Sequence, residues 1–124
     1  HARKSHQDII QLLKKYSPLK GIIHAFNGSD VQAKQYIELG FMLGFGGAFT
    51  HPGAKHLRQL VIELPLTAMV LETDAPNMQP SFAIGKRNSP ENLIGIFENF
   101  VSLRAEKVKK IEQQLEENSQ KIFN

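Results

Sequence analysis

The sequence predicts an α/β fold built on a parallel sheet. Three observations carry this reading. Short apolar runs at Gly21–Phe26, Phe41–Phe45 and Met69–Leu71 are continuous rather than alternating, amphipathic segments of helical period separate them, and a turn or cap residue marks each junction. Strands covered on both faces read as unbroken apolar runs, and a strand–helix–strand–helix–strand order is that of a parallel βαβ series.

Each element follows from its own residues. Ile9, Ile10, Leu12, Leu13 and Tyr16 recur at helical spacing, with Lys14 and Lys15 near the end where cations suit the helix dipole. Pro18 and Gly21 break that helix before the first strand, and Asn27-Gly28 turns the chain out of it. Ser29 with Gln32 has the spacing of a capping box, opening a helix that runs through Ile37 and stops at Gly40. Phe41–Phe45 follows as a second strand. Leu57, Leu60, Val61 and Leu64 line the next helix, and the third strand, Met69-Val70-Leu71, ends in Glu72-Thr73-Asp74. The stretch from Pro76 to Arg87 is long for a connection and is therefore a candidate functional loop. Ser89-Pro90-Glu91 reads as an N-cap with proline at the first helical position, and two amphipathic helices follow, the second rich in Glu and Lys. Met69, Phe97 and Phe100 are expected in the core.

Composition excludes several classes. A chain of 124 residues is the size of one domain, and 41% hydrophobic with 22% charged residues is too apolar for a disordered chain. Cysteine is absent, so disulfides, thiolate ligands and cysteine nucleophiles are excluded, and any metal must be held by histidine and carboxylate. No apolar stretch approaches the ~20 residues that span a bilayer. A cytoplasmic protein with no membrane partner and no obligate protein partner is the expectation. Lys plus Arg number 15 against 12 Asp plus Glu, a surplus of 3 that suits an anionic substrate but is too small for a nucleic-acid coat.

Chemistry in parallel α/β folds gathers at the carboxyl ends of the strands, where the following loops open on one face. Here those ends carry His24 and Asn27, then Gly46 and Gly47, then Glu72 and Asp74. His1 precedes a helix and has the place of the last residue of a preceding strand. Two imidazoles and a carboxylate converging from successive strand ends would suit Zn²⁺, Mn²⁺ or Fe. Each residue also has a plainer reading. A histidine in an apolar run is commonly a hydrogen-bonded core residue, Asp74 serves equally as a cap, and Glu72 can pair with a basic side chain of the interior. His6, His51 and His56 read as solvated surface. Gly85-Lys86-Arg87-Asn88 beside Ser89 is either a phosphate-binding turn or a solvated basic one.

The motifs resemble, in order, those of the TatD-like metal-dependent hydrolases. His1-Ala2-Arg3 is similar to the family's IHxR element, Ile22-Ile23-His24-Ala25-Phe26-Asn27-Gly28-Ser29 to iiHxFxGS, and Leu43-Gly44-Phe45-Gly46-Gly47 to iGxxG. Leu71-Glu72-Thr73-Asp74-Ala75-Pro76 is similar to lETDaP, and Asn118 with Phe123 to the closing eNxxxlF. Asn77-Met78 departs from the aromatic often found after that proline and is like one bacterial branch. The resemblance implies the carboxyl-terminal portion of a (β/α)₈ TIM barrel, from the end of strand 5 through the last helices, with residues 1–124 as a single incomplete domain. It further implies one or two divalent ions, Zn, Mg or Mn, and hydrolysis of phosphodiesters, DNA among them, as a deoxyribonuclease of the TatD type.

Carried over residue by residue, His1, His24 and Asp74 match metal ligands. Asp74 also matches the catalytic carboxylate that contacts the attacking water. Glu72 and Arg87 match recurrent positions, and with Asn27 they are the candidate substrate-binding residues. The family's first-strand His-x-His and its mid-barrel Glu have no counterpart here. The alternative is a truncated, non-catalytic remnant or interaction module of the family.

Overall fold

The computed structural model describes residues 1–123. Three short parallel strands form its centre: β1 (Gly21–Ile23), β2 (Phe41–Phe45) and β3 (Met69–Leu71), paired in that order. Ile23 aligns with Leu43, and Leu43 in turn with Met69. Helix α1 (His6–Lys15) precedes β1, α2 (Asp30–Glu38) links β1 to β2, and α3 (Lys55–Glu63) links β2 to β3. Helices α4 (Leu93–Leu103) and α5 (Val108–Phe123) follow the long loop.

The unbroken apolar runs have the burial expected of covered strands in β2 and most of β3, whereas in β1 only Ile23 is buried and Gly21 and Ile22 are half-buried. Leu43 and Met69 are fully buried, as are Ile10 of α1, Tyr36 of α2, Val61 of α3, Ile96 and Phe100 of α4, and Ile111 of α5. Phe97 packs against this core from a half-buried position. The capping box is formed as the spacing predicts: Gln32 N–H donates to Ser29 Oγ, and Ser29 N–H donates to Gln32 Oε1, both at 3.1 Å. Ser89 Oγ likewise accepts from Glu91 N–H ahead of Pro90–Asn92, a 3₁₀ turn that runs into α4.

One strand is shorter than its apolar run. The run Gly21–Phe26 pairs as a strand only to Ile23 because Ala25 adopts the left-handed region, with φ +48°, and breaks the regular ladder, although Phe26 N–H still donates to Gly44 O at 3.0 Å. β3 matches its run, ending at Leu71, and the chain turns at Asp74, with φ +54°. Left-handed backbone costs an L-residue roughly 1–2 kcal/mol, and Asp tolerates it better than most. Both outliers lie where the strand ends carry the candidate chemistry, a common location for stored backbone strain.

The carboxyl-terminal helix is anchored by one side chain. Asn118 is fully buried, and its amide donates to the carbonyls of Leu66 and Met69, both at 2.8 Å, tying α5 to the start of β3. Phe123, by contrast, is exposed. Among the described residues no helix is long and apolar enough to cross a membrane.

Candidate functional site

Glu72 organises the carboxyl ends of the strands. Its Oε1 accepts the Ala25 N–H at 2.6 Å, and its Oε2 lies 2.9 Å from His24 Nδ1. The other imidazole nitrogen, His24 Nε2, lies 3.4 Å from Asp74 Oδ1. One histidine is therefore held between two carboxylates, each on its own nitrogen. Glu72 is the more enclosed of the two, with 17% of its side chain exposed against 32% for Asp74. Both carboxylates accept, and the contact to Glu72 is the shorter, so a neutral His24 that donates to Glu72 carries its proton on Nδ1 and leaves an Nε2 lone pair beside Asp74, an arrangement that a cation between the two would satisfy. A carboxylate that fixes an imidazole through one nitrogen is the usual support for a metal-ligating histidine.

Sequence alone left Glu72 open to a basic interior partner; among the described residues its partners are His24 and a backbone amide. The glycines of the second strand end make this possible. A Cβ on Gly44 would collide with the Glu72 carboxylate, one on Gly46 with the Glu72 backbone, and one on Gly47 with the backbone of Met78 and Pro80. The Leu43–Gly47 motif is thus a smooth track on which residues 72–80 lie.

His1 is exposed, with its ring centroid 5.5 Å from that of His24. Donor chemistry and position make His24 Nε2 and Asp74 Oδ1 fit two positions around one divalent cation, with His1 next nearest. Among the described residues no three His, Asp or Glu side chains gather closely enough to hold a cation by themselves. Beside this cluster a cavity of about 280 Å³ is lined by His1, Arg3, Ala25, Asn27, Gly46 and Met78 among others.

The remaining candidates divide. Asn27 lies on this cavity, but its Oδ1 is already bonded to His6. Arg87 is exposed and shares a cavity with Ala75, Pro76, Ser89 and Pro90, on the loop side of Asp74. Its neighbour Asn88 does not present a donor to solvent: it is buried, and its amide donates to the carbonyls of Thr73, at 2.7 Å, and of Asn77 and Met78. The loop after β3 is pinned further by Ser81 N–H donating to Thr50 Oγ1 at 2.8 Å and by His51 Nε2 on Gln79 O at 2.9 Å.

His6 corrects the sequence reading. It is buried rather than solvated, with Nδ1 2.9 Å from Tyr36 Oη and Nε2 2.9 Å from Asn27 Oδ1. His51 is half-buried, and His56, though exposed, bonds Gly28 O through Nε2. Sequence reasoning passed over Tyr36 as well, and its only signal is a polar atom on a helix position otherwise facing the core.

Residues 1–124, the whole chain, match the family described as TatD related DNase. The chain belongs to this family. An uncharacterized metal-dependent hydrolase of Escherichia coli, YjjV, is 37% identical over 125 residues, spanning 100% of this chain and 48% of that protein. A Haemophilus influenzae protein described in the same words is 40% identical over 126 residues, with 100% and 48% covered. The crystal structure of YjjV, a TatD homologue, superposes with a TM-score of 0.91 over 96% of this chain and 46% of that one. A TatD-family hydrolase of Entamoeba histolytica, at 23% identity, superposes with a TM-score of 0.81 over 98% and 48%, which shows the shared fold. The chain spans about half the length of the curated relatives it matches. Its parallel α/β architecture agrees with the carboxyl-terminal portion of the family's barrel.

Proposed function

We propose that this TatD-family chain supplies the His24–Asp74 edge of a divalent-metal centre that hydrolyses phosphodiester bonds, in the manner of a deoxyribonuclease. The observation that carries the reading is His24, fixed on Nδ1 by Glu72 and facing Asp74 with Nε2. His24 and Asp74 would hold the ion, with His1 as a further ligand. A bound divalent ion supplies a water of lowered pKa and positive charge for the developing phosphorane-like oxygens.

The chain's own residues do the rest. Asp74, one-third exposed at a left-handed turn beside His24 Nε2, is placed to accept a hydrogen bond from a water and to take its proton. Glu72 keeps the His24 ring from rotating and fixes its tautomer, while the Ala25 N–H holds the second Glu72 oxygen in place. Arg3 lines the adjoining cavity as a cation suited to a phosphate, and Asn27 offers an amide there.

The test joins these 124 residues to the first half of the Escherichia coli relative and assays a labelled oligonucleotide with Mg²⁺, Mn²⁺ or Zn²⁺. Metal-dependent cleavage that chelator removes is the expected result. A folded, metal-loaded protein that leaves the oligonucleotide and simple aryl phosphodiesters intact would refute the phosphodiester reading.

A further inference from the structure

His6 is the buried member of the chain's five histidines, and the site as described so far makes no use of it. It opens α1 and packs against Phe26 and Tyr36, with ring centroids 5.4 and 5.7 Å away. Its two nitrogens connect separate elements: Nδ1 meets the hydroxyl of Tyr36 on α2, and Nε2 meets Oδ1 of Asn27 on the loop between β1 and α2.

The polarity of this chain of contacts follows from its far end. Burial pushes the Tyr36 phenol above the ordinary tyrosine range, so it stays a neutral hydroxyl with one proton to donate. The acceptors within reach are His6 Nδ1 at 2.9 Å and the His6 carbonyl at 3.4 Å, and the shorter contact is to the ring. A ring that accepts at Nδ1 carries its proton on Nε2 and donates it to Asn27 Oδ1. With its oxygen engaged inward, Asn27 turns its amide NH₂ outward. The opposite tautomer would draw the NH₂ inward and present the oxygen instead.

Asn27 stands between two cavities. One is the cavity of about 280 Å³ that holds His1 and Arg3, and the other, of about 540 Å³, holds Lys4, Gln7, Ser29 and His56. Among the described residues no carboxylate lines either one. An outward NH₂ between two such spaces, with Arg3 on one side and Lys4 on the other, suits an anionic oxygen. An outward carbonyl would repel it.

We propose that His6, backed by Tyr36, is a positioning residue that fixes the side-chain amide of Asn27 so that its NH₂ donates to a non-bridging phosphoryl oxygen of the substrate. The inference rests on the phosphodiester reading above and deepens it.

The test uses these 124 residues joined to the first half of the Escherichia coli relative, as above, and labelled with ¹⁵N. Long-range proton–nitrogen spectra should show the His6 proton on Nε2, and a proton on Nδ1 instead would overturn the proposal. Dimethyl phosphate added with Mg²⁺ should shift the Asn27 side-chain NH₂ signals. His6→Phe, which keeps an aromatic ring in the packed position, should weaken that binding roughly three- to tenfold, the scale of one hydrogen bond. His6→Gln, which can accept from Tyr36 and donate to Asn27, should restore most of it. Should His6→Phe fail to fold, Tyr36→Phe gives the same reading by removing the donor that selects the tautomer. Equal binding by the wild type and these variants overturns the inference and leaves the phosphodiester reading standing. Absence of any dimethyl phosphate shift in the wild type at Arg3, Asn27 or Lys4 fails that reading and this inference with it.

Discussion

Asp74 and Glu72 sit two positions apart yet do different work, and their surroundings decide which. Glu72 is largely enclosed, with both oxygens engaged by Ala25 N–H and His24 Nδ1, which leaves it less free than Asp74 to take up a water. Asp74 is half-buried, shares only the 3.4 Å approach to His24 Nε2, and keeps an oxygen for other partners. Asp74→Asn in the protein with a completed barrel should therefore reduce phosphodiester turnover by at least ~10²-fold, the scale of acid–base catalysis, with the fold retained. Steady-state kinetics with the circular dichroism spectrum as a control checks this, and a rate like that of the wild type would remove Asp74 from the mechanism. His24 and Asp74 were legible in the sequence because the strand-end rule and a specific motif both pointed to them. The environment of His6 was not: its partner Tyr36 lies 30 residues away, and nothing local distinguishes a buried imidazole from a solvated one at a helix start.

Elements act here as fixtures for those side chains. The close approach of β2 to the Glu72 carboxylate needs a residue without Cβ at Gly44. Gly44→Ala should displace Glu72, free the His24 ring and weaken divalent-metal binding more than it lowers thermal stability, and titration calorimetry alongside thermal unfolding would show the split. Equal metal affinity in the two proteins would mean that Glu72 does not govern His24. A second fixture holds the other end of the molecule. Arg104, just past α4, donates to the carbonyls of Val61, at 2.8 Å, Ile62 and Leu64 at the end of α3, and it also pairs with Glu106. Its removal by Arg104→Ala should cost about 2 kcal/mol in denaturant unfolding, since hydrogen bonds from a charged donor are among the stronger ones. The Arg104 guanidinium holds the Glu106 carboxyl below its ordinary value. Glu106 thus contributes stability that is present at neutral pH and lost as pH falls through its lowered folded-state value. The stabilities of wild type and Glu106→Gln should converge in acid, and a gap that persists there would contradict this. Local signals revealed the capping box at Ser29 and the N-cap at Ser89, because each is settled within a few residues. Arg104 was not legible, because its acceptors come from an element some forty residues earlier.

At the scale of the whole molecule, three parallel strands leave β1 and β3 each with one unpaired edge. A closed barrel has no such edges, and unpaired apolar edges invite association. Beside β3 the side chains of Leu71, Leu93, Ile94, Phe97 and Leu115 line a groove of about 410 Å³, and Ile94 is 70% exposed. The isolated 124-residue chain should therefore self-associate at micromolar concentration, as light scattering after size exclusion would show, and a stable monomer would contradict the barrel-completion argument. The central claim, that His24 Nε2 and Asp74 share one divalent cation, is tested most directly by titrating the ¹⁵N-labelled protein with a completed barrel with Zn²⁺ and following the histidines of residues 1–124 one by one. The account predicts that His24 Nε2 responds first and saturably, that the proton on Nδ1 stays on the ring, donated to Glu72, and that Asp74→Asn weakens the response. Zn²⁺ that moves His51 or His56 while leaving His24 unchanged would contradict it.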